Sequence, residues 1–418
     1  MKRESEMSKT EIVMRKSNRK SLLPIIIAGA FLSCISLNPA FSQTTKDSDD
    51  KVKTAPVMVE DAEVRLGRMN AESNDKQVRL VTDAAIVERV NRIGKEIAAV
   101  ANKTPIPAKW GSGQLKPFNY SFKVVDDKDI NAYSLPGGFI YVNKGLLDYV
   151  RSDDELAGVL AHEITHASHH HMMKLIKEQN KIQNVLLPAM IAAILLSKSN
   201  PGDIGTLLTG SSLYTTAKLN TYGVEAEKDA DFGGLTLLTH TKYNPVGLYS
   251  VMLRLASDER NHNLVDLGIY RTHPPGDERA EAAKKLLEEL HVPIELSKVD
   301  PTQRVTVTLN KAGAKGRDVA ELKIQGMTLC KVIAADDQTA EERGIKIAMK
   351  LTPFFDRELQ AFEVKLNQDK TKVSVRGVVV LTAQDAIWQD KTLSALAQEM
   401  SGIINKFGLK RQMDEVGK

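Results

Sequence analysis

Two histidines four residues apart with a glutamate between them, His162-Glu163-Ile164-Thr165-His166, are the part of this chain best suited to chemistry. On a helix, positions i and i+4 lie one turn apart on one face, so both imidazoles can reach one metal ion. Glu163 can approach the open coordination position and take a proton from a zinc-bound water as that water attacks a peptide carbonyl. Such a site needs a third protein ligand. One route continues along the same helix and requires a glycine three residues and a histidine six residues after the second histidine. The chain has His169 and Met172 there, which excludes that route. The other route draws a carboxylate from a later helix. The segment Glu225-Ala226-Glu227-Lys228-Asp229-Ala230-Asp231 offers one, with Glu227 and Asp231 four apart on one helical face. One of the two would ligate zinc while the other holds a histidine ring by a hydrogen bond.

Several elements must position these groups. The helix that carries the histidines is predicted to open at Ser152, where Ser152 and Glu155 make a capping box and Leu156, Val159, Leu160, Ile164 and Ala167 form an apolar stripe. Periodicity predicts helices over 59–70 and 83–100, the second with Ile86, Val90, Ile93 and Ile97 on one face, and again over 224–238, 246–257 and 276–290. Strands are predicted over 120–125 and 139–142, the second after the turn Pro136-Gly137-Gly138. The apolar run 185–196 is short for a membrane span and contains Pro188, so it reads as a buried helix or hairpin, and 197–213 reads as loop. Residues 293–303, polar with two prolines, mark a boundary. Beyond it the pattern is α+β, with strands over 304–309, 362–366 and 373–379, a hairpin loop over 368–371, and helices over 339–351 (capping box Thr339/Glu342) and 392–407, ended by Gly408. No catalytic cluster is visible in this tail.

Four motifs in order carry a family resemblance: Asn131-Ala132-Tyr133-Ser134-Leu135-Pro136-Gly137-Gly138, then His162-Glu163-x-x-His166, then Glu227-x-x-Ala230-Asp231, then Thr272-His273-Pro274 with Arg279. Over roughly residues 59–290 the chain resembles the HtpX/BepA-type zinc endopeptidases, peptidase family M48. The resemblance implies a gluzincin fold holding one zinc ion through His162, His166 and Glu227, with Glu163 as general base and Asp231 behind the ligands. It also implies that Asn131, Ala132, Tyr133 and Ser134 form an edge strand that pairs with an extended substrate backbone. His273 matches a histidine that approaches the zinc and blocks it or assists the reaction, and Arg279 matches an arginine near the site. Two departures stand out. Gly223 and Val224 replace the family's Ser-Arg, and His170-His171 replaces its Arg-His. The run His169–His171 reads as a solvated helix end, with an extra metal-binding tract as the sharper alternative.

Composition narrows the function classes. Residues 1–42 hold seven basic and three acidic residues, which leaves fifty of each in the remainder, so the body offers no charge argument for nucleic acid. Aromatic residues at 5% also argue against a base-stacking platform. Two cysteines, Cys34 and Cys330, exclude a disulfide scaffold and a cysteine-based zinc cage. The basic segment before the apolar stretch 22–32, followed by Ala40-Phe41-Ser42, reads as an export signal, and Phe31-Leu32-Ser33-Cys34 is an imperfect lipobox. The expected organisation is a signal over 1–42, a linker over 43–58, a mainly helical zincin-like α+β peptidase domain with a small edge sheet over 59–292, and a smaller C-terminal α+β domain over 304–418. The expected activity is that of an exported, periplasmic zinc metalloendopeptidase that hydrolyses unfolded or misassembled envelope proteins. Secretion or lipid anchoring is the alternative destination, and membrane association follows only if the signal is retained or lipidated. Envelope partners would dock on the C-terminal domain. The competing function is a chaperone-like binding module with a closed, mostly latent zinc site.

Overall fold

The computed structural model describes residues 61–182, 223–261, 277–311 and 316–416. The expected signal, the linker, the apolar run 185–196, the loop 197–213 and the turn containing His273 lie outside the described residues.

Helices α1 (Ala62–Gln77) and α2 (Ala84–Ala101) each start on an aspartate, Asp61 and Asp83, whose carboxylate accepts backbone N–H bonds of the first turn. The predicted apolar face of α2 is real: Val90, Ile93 and Ile97 are fully buried in a cluster with Phe122 and Val124 of β1 (Ser121–Val125). Strand β3 (Phe139–Asn143) pairs parallel with β1 and antiparallel with β2 (Ala132–Leu135), so the order β1-β3-β2 leaves β2 at one edge. The turn between β2 and β3 uses Gly137 and Gly138 at positive φ, 75° and 89°. A short helix, α3 (Lys144–Tyr149), follows.

The central element is α4 (Asp153–Ser168), which packs against α2, β2, α6 (Val224–Leu238) and α7 (Val246–Asn261). The single apolar stripe predicted for it is too narrow a description. Every residue from Glu155 to Ala167 is buried, because the helix is enclosed on all sides. Gly158 makes one of these approaches feasible, since a Cβ there would stand 2.6 Å from the backbone of Leu248 in α7. The capping box forms by half. Ser152 Oγ accepts from the Glu155 N–H at 3.1 Å, but the Glu155 carboxylate turns to Arg151 N, Ser250 Oγ and the Arg254 guanidinium instead. A buried carboxylate gains more from a buried cation than from one backbone amide. The chain continues through α5 (His171–Ile182), α8 (Asp277–Glu289) and the single turn α9 (Leu296–Val299).

The remainder is a smaller α+β part, as expected. Strands β4 (Val305–Asn310), β5 (Val319–Ile324) and β6 (Met327–Ile333) form one antiparallel sheet. A second comprises β7 (Val364–Leu366), β8 (Lys372–Val375) and β9 (Val378–Thr382). Helix α10 (Ala340–Asp356) opens with the complete Thr339/Glu342 capping box, and α11 (Ala383–Trp388) and α12 (Leu393–Val416) complete the order. The alternation over 373–379 belongs to two strands, not one, because Arg376 and Gly377 both adopt positive φ and turn the chain. Helix α12 runs through Gly408, the expected stop, to Val416. No helix among the described residues is long and apolar enough to cross a membrane.

Candidate metal centre

Helix α4 delivers His162 and His166 to one point, and α6 delivers Glu227 to the same point. The two Nε2 atoms lie 3.0 Å apart. Glu227 places Oε2 3.4 Å from His162 Nε2 and Oε1 3.4 Å from His166 Nε2. Bonds of about 2.0–2.1 Å at tetrahedral angles separate donor atoms by about 3.3 Å, so this triad has the size that a tetrahedral zinc site requires. All three residues are buried, as is Glu163 beside them. Two imidazoles and one carboxylate, borderline nitrogen donors with a hard oxygen donor, are a set suited to zinc, and it contains no thiolate. Gly234 of α6 faces the α4 backbone at His162, where a Cβ would stand 3.1 Å from its nitrogen, and this closeness lets Glu227 reach the histidines.

Each ligand histidine is backed differently. His162 Nδ1 lies 2.9 Å from Asp231 Oδ1. Asp231 is in turn held by Arg279 of α8, whose Nε and Nη2 donate to its two oxygens at 2.7 Å each, while Nη1 lies 3.1 Å from Glu227 Oε2. Arg279 thus ties Glu227 and Asp231 of α6 together. Burial drives His162 towards its neutral form, but Asp231 and Glu227 outweigh it and raise its pKa to about 10. A site that retains a proton on a buried imidazole favours positive charge, and a metal ion would take the place of that proton. Burial holds His166 well below the ordinary histidine range. For Asp231, burial is opposed by the Arg279 guanidinium, and the net shift is downwards.

Behind His166 the structure corrects the sequence reading. The run His169–His171 is not a solvated helix end. His169 and His171 are 2% and 0% exposed. His170, at φ 56°, ends α4 and lets α5 start at His171, and its Nδ1 meets Glu63 Oε2 at 2.7 Å. His171 Nδ1 lies 2.9 Å from His166 Nδ1, and its Nε2 meets Asp229 Oδ2 at 2.9 Å and the Trp110 carbonyl at 3.1 Å. His169 Nδ1 meets the same Asp229 oxygen at 2.5 Å. The other oxygen, Oδ1, accepts the backbone N–H groups of Lys109 and Trp110. Burial and then the two histidines act on the Asp229 carboxyl, with a net shift far below the usual carboxylate range. His169, His171 and Asp229 therefore form a second group compact enough to hold an ion. Sequence reasoning missed Asp229 because it lies two residues, about 200°, around α6 from Glu227. It missed the Trp110 loop because nothing local in sequence joins that loop to residues sixty positions away.

Of the remaining expected site residues, Asn131, Ala132 and Ser134 are buried, and Tyr133 stacks on Tyr141 at 5.2 Å while its hydroxyl accepts from Asn74. Ala132, Tyr133 and Ser134 belong to β2, which packs along the histidine helix. His273 lies outside the described residues.

Comparison with known proteins joins this geometry to a family. The description "Peptidase family M48" matches residues 88–287, the stretch that contains α4, α6 and Arg279. This chain carries an M48 peptidase domain. Among curated proteins it is similar to the beta-barrel assembly-enhancing protease of Yersinia pestis, 24% identical over 55% of this chain and 45% of the relative. It is also similar to the protein of that name from Escherichia coli K12, 21% identical over 66% and 54%. The mitochondrial metalloendopeptidase OMA1 of Schizosaccharomyces pombe is 27% identical over 50% and 55%. The chain spans about half the length of the curated relatives it matches. The matched stretch ends before β4, so the C-terminal sheets lie outside it.

Proposed function

We propose that the M48 domain is a zinc metalloendopeptidase that binds one zinc ion per chain through His162, His166 and Glu227. The observation that carries this reading is the convergence of two buried imidazole nitrogens and a buried carboxylate, 3.0–3.4 Å from one another, with Glu163 next to them on α4. A zinc ion there supplies Lewis acidity for hydrolysis of a peptide bond. Glu163 acts as general base towards the attacking water and then returns the proton to the leaving nitrogen. Asp231, clamped by Arg279, holds the His162 ring in its ligating orientation. An extended substrate adds to the edge of the sheet beside β2, which makes Asn131–Ser134 the substrate-binding segment. Replacing Glu163 by Gln should reduce cleavage of an unfolded substrate such as casein by roughly 10²–10⁴-fold. Zinc content should stay at one per chain, and full activity in that variant would remove the mechanism.

The same reading extends to place and substrate. The export signal expected over 1–42, together with two relatives named for beta-barrel assembly, supports an exported protease that acts on misassembled envelope proteins in the periplasm. The C-terminal α+β part would dock such partners. Among its exposed apolar side chains, Met349, Phe362 and Ile387 stand out furthest and are available for docking.

One observation favours a second reading, a latent site or binding module. Glu163 and the three ligand residues are each no more than 5% exposed. A His273→Ala variant that gains cleavage would favour a latent enzyme, and a chain inert in both forms would favour binding alone.

A further inference from the structure

The atoms behind His166 determine where its proton sits. His171 Nε2 faces two acceptors, Asp229 Oδ2 at 2.9 Å and the Trp110 carbonyl at 3.1 Å, so this nitrogen carries hydrogen. A neutral His171 ring then presents its lone pair at Nδ1, 2.9 Å from His166 Nδ1. His166 Nδ1 must donate into that lone pair, which leaves the His166 lone pair on Nε2, the atom facing His162 and Glu227. The chain of donors ends on a carboxylate whose second oxygen is occupied by the Lys109 and Trp110 amides.

Resting on the metallopeptidase reading above, we propose that His171 and Asp229 are positioning residues for the metal. The hydrogen-bond chain Asp229–His171–His166 fixes the tautomer and ring orientation of His166. His169 and the loop around Trp110 hold the chain in place: Ser112 N donates to the His169 carbonyl at 2.9 Å, and the Trp110 ring packs edge-on against His171 at 5.1 Å. The two ligand histidines are therefore braced asymmetrically. A carboxylate touches His162 directly, whereas an imidazole stands between His166 and its carboxylate.

The same geometry argues against a second metal ion on His169, His171 and Asp229, although they are close enough to hold one. Ligation through His171 Nε2 would move its proton to Nδ1, against the proton on His166 Nδ1 that zinc ligation through Nε2 requires. The compact group is a scaffold for the first site, and the two uses exclude each other.

The most direct test needs no substitution. In the zinc-loaded full chain labelled with 15N-histidine, long-range 1H–15N spectra should show His171 protonated at Nε2 and bare at Nδ1, and His166 protonated at Nδ1. The opposite His171 tautomer, or two zinc ions per chain by elemental analysis, would overturn the proposal. A chain that takes up no zinc would sink the metallopeptidase reading and this one with it, whereas one zinc with the wrong tautomers sinks this one alone.

A double-mutant cycle on zinc affinity, read by competition with a chromophoric chelator, supplies the energetic test. In Asp229→Asn the amide oxygen must face the Lys109 and Trp110 amides, so its NH2 faces His171 and forces the wrong tautomer. Zinc binding should weaken about 10–100-fold. In His171→Asn the side-chain oxygen takes the place of Nδ1 and accepts from His166 whatever stands at 229. The double variant should therefore bind zinc no more weakly than His171→Asn alone. If Asp229 serves only to pin the loop, its replacement will cost the same factor in both backgrounds. That result, or unchanged affinity in Asp229→Asn, would count decisively against the chain.

Discussion

Two buried polar clusters in this molecule have opposite designs. In the C-terminal part, Arg343 of α10 and Asp385 of α11 form a bidentate pair at 2.5–2.7 Å. Arg343 also donates to the Ile333 carbonyl, and Asp385 accepts from Ile333 N, Thr382 N and Thr382 Oγ1. The charges there answer each other and lock two helices to β6. In the M48 domain, by contrast, two imidazole nitrogens and a carboxylate point at one another across 3.0–3.4 Å. Around them, Asp231, Arg279, His171 and Asp229 are satisfied largely by one another. Both clusters are buried and both contain opposite charges, so burial and charge alone do not mark a reactive site. What distinguishes the M48 site is convergence of metal-donor atoms on a shared point, inside a shell whose members bond largely to one another.

This contrast can be broken experimentally. The largest effect on stability is expected from Arg343→Met, which leaves Asp385 buried without its cation. It should cost about 3–5 kcal/mol in urea unfolding, with zinc content of the folded fraction unchanged. A loss of zinc in that variant would mean that the two clusters are coupled. A smaller effect, about 1–3 kcal/mol, is expected from Gly111→Ala. Gly111 has φ 97°, and a Cβ there would lie 2.3 Å from the His169 carbonyl and 2.8 Å from the His171 ring. Because the strain falls on the loop behind His166, zinc affinity should drop along with stability, and intact affinity would separate that loop from the metal site.

The smallest effect concerns Cys330, the buried thiol of the C-terminal core. Burial pushes its pKa up to about 12 from an ordinary 9.0. The folded state then keeps a proton that the unfolded state releases, so stability contributed by the neutral thiol is present below pH 9.0 and is lost as pH rises towards 12. Between pH 8 and 10 the wild type should lose about 1 kcal/mol more stability than Cys330→Ala. A maleimide reagent at neutral pH should label Cys330 only after denaturation. Rapid labelling of the native chain would show that this core opens.

Much of the candidate site was legible in sequence because its ligands obey helical geometry. His162 with His166, and Glu227 with Asp231, are each four residues apart, and a one-turn spacing presents two side chains on one face wherever the helix lies. The limits of α6, 224–238, could be read in advance for the same reason. Other features resisted. Periodicity reports a contrast between water and core, and α4 has no watery side, so its stripe understated its burial. The same lack of contrast hid β5 and β6, which are buried at most positions, and the Arg376-Gly377 turn was hidden inside an alternation that β8 and β9 share.

By itself, then, the sequence determined that His162 and His166 share one helical face and that Glu227 and Asp231 share another, because such facts depend only on spacing along one helix. Only the tertiary structure decided that His169 and His171 are interior groups, that Asp229 is tied to them, and that Trp110 closes over the pair. Those contacts join residues roughly sixty positions apart through the packing of separate elements, and no local pattern of spacing encodes such a meeting.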